Sequence, residues 1–107
     1  MLKQAAALNH IGAYGWLGAA FDYGLGTRAN RRRAFQCYLR AAKEAEPNSE
    51  YHVGIFYMAG RGVRKNRTLA VEWLQRASSH GDEFAIHALG KSYRYGQGVR
   101  KNPKKGF

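Results

Sequence analysis

Carboxylates are scarce in this chain. Seven Asp and Glu stand against eighteen Lys and Arg in 107 residues, a formal net charge of +11. So basic a balance speaks about partners and association rates, not about fold. Nucleic acid, anionic membrane and acidic protein surfaces are the counterparts it admits. Cysteine occurs once, at Cys37. That excludes an intrachain disulfide framework and fits a reducing compartment, so a cytoplasmic location is expected unless the chain is cut from a longer precursor. The two prolines, Pro47 and Pro103, stand where helices are expected to begin. No apolar run is long enough to cross a bilayer. The opening Met1 to Leu8 is too short and too soon polar for a signal peptide.

The same scarcity argues against catalysis and bound cofactors. His10, His52, His80 and His87 form no helical pair around a glutamate, and one cysteine cannot build a thiolate metal cage. The few carboxylates fall mainly on expected loops, which disfavours a general acid/base pair. The G-x-G triplets follow helices and not strands, against a dinucleotide loop. Asn66, Arg67 and Thr68 match a glycosylation acceptor, yet Asn66 is better explained as a helix cap. The expectation is no enzyme, no cofactor and no metal.

What is present is a repeat. Leu17-Gly18 recurs as Val53-Gly54 and Leu89-Gly90, each step 36 residues. Phe21 answers to Tyr57 and Tyr93, and Gly24 with Gly26 to Gly60 with Gly62 and Gly96 with Gly98. Asn30 returns as Asn66 and Asn102, with no insertion or deletion between copies. A fixed period of this length marks a solenoid, whose units stack because none can bury its apolar face alone. The length allows one compact domain that buries roughly 60–70 % of its unfolded surface.

Each unit holds two segments with helical apolar spacing. Ala13, Leu17, Ala20 and Phe21 share one face of a first helix, A; Ser49, Val53, Phe56 and Tyr57, then Ala85, Leu89, Ser92 and Tyr93, repeat it. Ala34, Cys37, Tyr38 and Ala41 share a face of the second helix, B, repeated by Ala70, Trp73, Leu74 and Ala77. Gly24, Gly60 and Gly96 are placed to close helix A in a left-handed turn. Asn30, Asn66 and Asn102 are placed to cap helix B, and Pro47 and Asp82 mark entry into the next A. Gly18, Gly54 and Gly90 lie inside helix A at about 1 kcal/mol each relative to alanine. That implies close approach by another helix backbone, with Ala34, Ala70, Ala41-Ala42 and Ala77-Ser78 as facing surfaces. Cys37 reads as a small buried hydrophobe, and His80 as a helix-end cap.

A leucine-glycine pair, an aromatic three residues on, a G-x-G loop and an alanine-rich second helix resemble the Sel-one-like repeat, a relative of the tetratricopeptide repeat. Residues 9–44 and 45–80 read as complete units and 81–107 as a partial one. Residues 1–8 match the end of a preceding helix B, Ala5-Ala6 standing where Ala41-Ala42 stand later. The resemblance implies an all-α, right-handed α/α superhelix of stacked helical hairpins, a TPR-like solenoid acting as a bacterial adaptor or scaffold for protein partners. Departures are visible. Asn30, Asn66 and Asn102 replace a usual acidic residue; Arg33, Leu69 and Lys105 stand where lysine is common; Gly106 replaces an alanine. Disulfide-bearing secreted members have been associated with β-lactams, and this chain lacks their cysteines.

In such a stack all A-to-B loops emerge on one edge. Arg28, Arg31, Arg32, Arg33, Arg61, Arg64, Lys65, Arg67, Arg100, Lys101, Lys104 and Lys105 fall there, twelve of the eighteen cations. Glu44, Glu46, Glu50, Asp82 and Glu83 fall on the other edge. A bipolar solenoid follows. The basic edge suggests an anion-docking surface for phosphate, acidic peptide or nucleic acid; the alternative is a solvated edge that keeps the protein soluble. No RNA-binding motif supports the nucleic-acid reading. The second face of helix A carries Trp16, Ala19 and Tyr23, then His52, Ile55 and Ala59, then Ala88, Lys91 and Tyr95. By the resemblance this is the concave floor of a peptide groove, with aromatic anchors and a cation; the alternative is packing between units. An uncovered last helix A further suggests either a longer array or end-to-end self-association.

Overall fold

The computed structural model describes residues 10–96, with side chains from Tyr14 onward. Every regular element among them is an α-helix: α1 (His10–Tyr23), α2 (Arg31–Ala42), α3 (Pro47–Ala59), α4 (Arg67–Ser79) and α5 (Glu83–Tyr95). Helices α1, α3 and α5 are the A helices of successive units, and α2 and α4 the B helices. The readings of Ala5-Ala6, Gly98, Arg100, Lys101, Asn102, Pro103, Lys104, Lys105 and Gly106 lie outside the described residues.

Helix boundaries follow from cap chemistry that recurs with the period. Asn30 Oδ1 accepts the Arg33 N–H at 3.1 Å, and Asn66 Oδ1 accepts the Leu69 N–H at 3.0 Å. Glu46 and Asp82, also one period apart, cap the A helices by accepting from Ser49 N–H at 2.6 Å and Ala85 N–H at 2.9 Å. Each satisfies a first-turn donor that the helix cannot satisfy itself. Pro47 stands in the first turn behind its cap, where a missing N–H costs nothing. Gly60 and Gly96 end α3 and α5 in the left-handed region, φ 69° and 68°.

The A-to-B connections are one object made twice. Leu25 N–H donates to the Ala20 carbonyl at 2.9 Å and Asn30 N–H to Phe21 at 2.7 Å; Arg61 donates to Phe56 and Asn66 to Tyr57, both at 2.9 Å. The return connection repeats as well, Glu46 N–H and Asp82 N–H reaching the carbonyls of Ala41 and Ala77.

The core shows why one hairpin is insufficient. Leu17, Phe21, Ala34, Phe35, Tyr38 and Ala42 of the first unit are completed by Val53 and Phe56 of α3. Phe56 stacks with Phe35 at 6.3 Å between ring centroids and meets the Tyr38 ring edge-on at 5.5 Å. A second cluster joins Leu74 and Ala77 of α4 to Ala85 of α5, flanked by Tyr51, Ile55, Met58, Ala88 and Leu89. Each apolar face is closed by the next unit's first helix, as a solenoid requires. The molecule is correspondingly elongated, 46 × 24 × 17 Å.

The helix-A glycines have a physical reason that differs in part from expectation. A Cβ on Gly18 would lie 2.9 Å from the Tyr38 ring; on Gly54 it would lie 2.8 Å from Leu74 and 3.1 Å from the Ala70 carbonyl oxygen. Tyr38 and Leu74 occupy the same repeat position, so the missing side chain makes room for a large buried residue of helix B. Among the nearest atoms at Gly18 and Gly54 the one backbone atom is the Ala70 carbonyl oxygen, and the small pairs Ala41-Ala42 and Ala77-Ser78 are not among them.

Candidate interaction surfaces

Two buried carboxylates are used internally, and neither was identified from the sequence. Asp22 of α1, its side chain 3% exposed, sits 2.8 Å through Oδ1 from Nη2 of Arg61 in the next unit's loop. The Arg61 guanidinium also lies over the Phe56 ring at 5.4 Å. Arg61 is therefore a tie between units and not a free member of the basic edge. Glu50 of α3, 2% exposed, lies 2.6 Å from Nδ1 of His80 at the end of α4. His80 also closes α4 through its backbone N–H, as expected, but its ring serves Glu50. The expected acidic edge thins accordingly: Glu50 is buried, Glu46 and Asp82 are caps, and Glu44 and Glu83 stay exposed.

Along the second face of the A helices the outer units differ from the middle one. Trp16, Tyr23 and Tyr95 are 70%, 66% and 63% exposed, and Lys91 is also exposed. These large rings are not needed by the core. His52 and Ile55, in the middle, turn partly inward. His52 stacks on Tyr38 at 4.3 Å between centroids, and Ile55 packs against the second cluster. Burial lowers the His52 pKa from its ordinary value, carboxylates of Asp22, Asp82 and Glu46 only partly opposing this. Phe84, exposed on α5 and within 5.7 Å of the Tyr51 ring, adds an aromatic the repeat alignment did not single out. Between α1 and the start of α3 lies an open hollow of about 380 Å³, lined by Gly15, Trp16, Ala19, Glu46 and Asn48.

At the A-to-B rim, Arg28, Arg31, Arg32, Arg33, Arg64, Lys65 and Arg67 are all exposed. Arg33 lies 5.8 Å from the Phe21 ring centroid. The loop of the second unit presses on the first unit's helix B here: Gly62, φ 67°, leaves no room for a Cβ against the Arg31 carbonyl oxygen. Cys37 and Tyr38 act as packing residues. Burial pushes the Cys37 thiol up, against a weaker pull from Arg33, and the side chain packs, partly buried, against the first cluster. Burial, helped by Asp22, pushes the Tyr38 hydroxyl well above its usual range. Among the described residues no three His, Cys, Asp or Glu side chains gather as metal ligands, and no helix is long and apolar enough to cross a membrane.

Stacked helical hairpins with period-matched caps, turns and inter-unit cores define an α/α repeat solenoid, a right-handed superhelix of the TPR-like class. The chain belongs to the Sel1 repeat family, whose repeat matches residues 12–45, 47–82 and 84–107. Three solved structures agree. A protective antigen of uropathogenic Escherichia coli with an SLR fold superposes with a TM-score of 0.94 at 25% identity, over 98% of this chain and 22% of the antigen. A Sel1 repeat protein from Oxalobacter formigenes gives 0.90 at 31% identity, over 98% of this chain and 43% of that one. Cysteine-rich protein B of Helicobacter pylori gives 0.73 at 30% identity, over 78% and 63%. The chain thus spans less than two thirds of the length of each. No curated protein matches the sequence. Sel1 repeats are in general scaffolds that bind protein partners.

Proposed function

We propose that this chain is a non-catalytic docking module that holds a protein segment along the concave second face of its A helices. The observation that carries this reading is the exposure of Trp16, Tyr23 and Tyr95 on that face, more than three fifths each. Large rings held in water by a rigid helix row, with Lys91 beside them, have the composition of interface anchors. His52 and Ile55 form the packed middle of the floor and set its shape more than its affinity. Partners are identified by affinity capture with mass spectrometry. The test is then Trp16→Ala with Tyr95→Ala, which abolishes capture of the identified partner while helicity is kept; unchanged capture overturns the reading.

A second reading rests on a separate observation. Seven exposed cations share the A-to-B rim, and the buried carboxylate of Asp22 is already paired with Arg61. That rim suits an acidic protein segment, with nucleic acid as the competing polyanion. Association through it weakens steeply with salt, because exposed pairs are screened over a Debye length of about 8 Å at physiological ionic strength. Binding that is indifferent to salt eliminates the rim as the docking edge.

A further inference from the structure

We infer that the hollow between α1 and α3 receives an arginine side chain of the docked segment, a subsite that rests on the reading of the helix-A face as the docking face. Its chemistry is suited to a guanidinium. Trp16 offers an open indole face, Glu46 a carboxylate, and Asn48 an exposed amide, while Gly15 and Ala19 leave the wall low enough for a long side chain. Glu46 is held in place because Oε2 accepts the Ser49 N–H at 2.6 Å. Among the described residues its Oε1 accepts no hydrogen bond, leaving an unused acceptor on a carboxylate that lines the same hollow as Trp16. A planar guanidinium stacks on indole and bonds a carboxylate at once, which an ammonium does less well.

The chain's own packing supports the choice. Arg33, Arg40, Arg61 and Arg76 each lie over an aromatic ring, and Trp73 carries Arg76 at 4.7 Å. Trp16, the other tryptophan, carries no such cation among the described residues, and it is the one that lines the hollow. The net positive charge does not forbid a cationic guest. Glu46 stands at the opposite end of α3 from the basic rim, and 13 residues of helix span roughly 20 Å at 1.5 Å per residue. That exceeds two Debye lengths of about 8 Å. No lysine or arginine is among the residues that line the hollow, and Arg40 is engaged with the Tyr14 ring at 5.2 Å.

The test uses the full chain and two capped pentapeptides, one with a central arginine between glycines and one with citrulline, its uncharged isostere. Binding is read from the Trp16 indole N–H signal by NMR, assigned with Trp16→Phe. The arginine peptide shifts that signal and binds about five- to ten-fold more tightly than the citrulline peptide. Glu46→Gln keeps an amide oxygen to cap α3 and abolishes the preference while the rest of the spectrum is unchanged. Equal response to the two peptides, or a preference that survives Glu46→Gln, overturns the subsite. The two readings fail separately. Partner capture that depends on Tyr95 but not on Trp16 or Glu46 sinks the subsite and leaves the docking face. An arginine preference at Trp16, with capture indifferent to the Trp16→Ala, Tyr95→Ala pair, sinks the docking face and leaves the subsite.

Discussion

Arg61 reaches back 39 residues to pair with Asp22, placing Nη2 2.8 Å from Oδ1 across the boundary between units. The two partners are unequally buried, 33% against 3% exposed side chain, so the loss of each should differ. Arg61→Met strands a desolvated carboxylate and destabilises the chain by about 2–3 kcal/mol. Asp22→Asn leaves an arginine that water can reach, and its effect is smaller, about 1 kcal/mol. Urea denaturation of both variants and the double mutant checks this; equal losses would show that the pair does not act through burial of Asp22.

The helix-A glycines yield a prediction of opposite sign to helix propensity. Gly54→Ala gains about 1 kcal/mol of propensity but places its Cβ against Leu74, fully buried, and the Ala70 carbonyl. The net expectation is destabilisation by about 1–2 kcal/mol. Adding Leu74→Ala relieves the contact, so the double mutant is more stable than the sum of the single losses. A Gly54→Ala protein as stable as the parent by thermal melting would contradict the close approach.

Ala45 is the one described non-glycine residue with positive φ, at 63°, and the same repeat position in the next unit is Gly81, φ 90°. A left-handed alanine costs about 1–2 kcal/mol, partly offset by its lower unfolded-state entropy. Ala45→Gly therefore stabilises by about 0.5–1 kcal/mol. Gly81→Ala, with open space around it, destabilises by a similar amount through conformation alone. Chemical denaturation midpoints of the two variants should move in opposite directions.

Stability should also depend on His52. Burial depresses its folded pKa below the ordinary value of 6.5. As acid is added, the unfolded chain takes up that proton first. Its stabilising contribution is complete above about pH 6.5 and is lost as pH falls towards the folded pKa. His52→Phe retains a ring against Tyr38 and flattens the decline of stability between pH 6.5 and the folded value. Identical slopes in parent and variant would remove His52 as its source.

The repeat made much of this legible beforehand. Asn30 and Asn66 cap as expected, Gly24, Gly60 and Gly96 turn left-handed, and most of the described residues on the core faces read from spacing are buried, with Cys37, Tyr57, Trp73, Leu89 and Tyr93 partly so, because each is a local requirement repeated in register. What stayed hidden departs from the repeat. Asp22 corresponds to Met58 and Arg94, and Arg61 to Leu25 and Gln97, so no pattern announces their pairing. Glu50 corresponds to Tyr14 and Ile86, and its partner His80 to Glu44. A carboxylate beside a buried aromatic, as Asp22 is beside Phe21, was the available signal. Trp16, Tyr23 and Tyr95 are exposed on their helices, but periodicity does not distinguish their exposure from the inward turn of His52 and Ile55, which pack against Tyr38 and the second cluster.

The seat of Gly62 against the Arg31 carbonyl has a mechanical meaning. With no space left for even one methyl group, neighbouring hairpins touch at this rim and cannot be squeezed closer there. At the opposite rim Gly81 meets nothing within 4 Å. A side chain added at Gly62 must therefore displace the neighbouring unit, whereas one added at Gly81 need not.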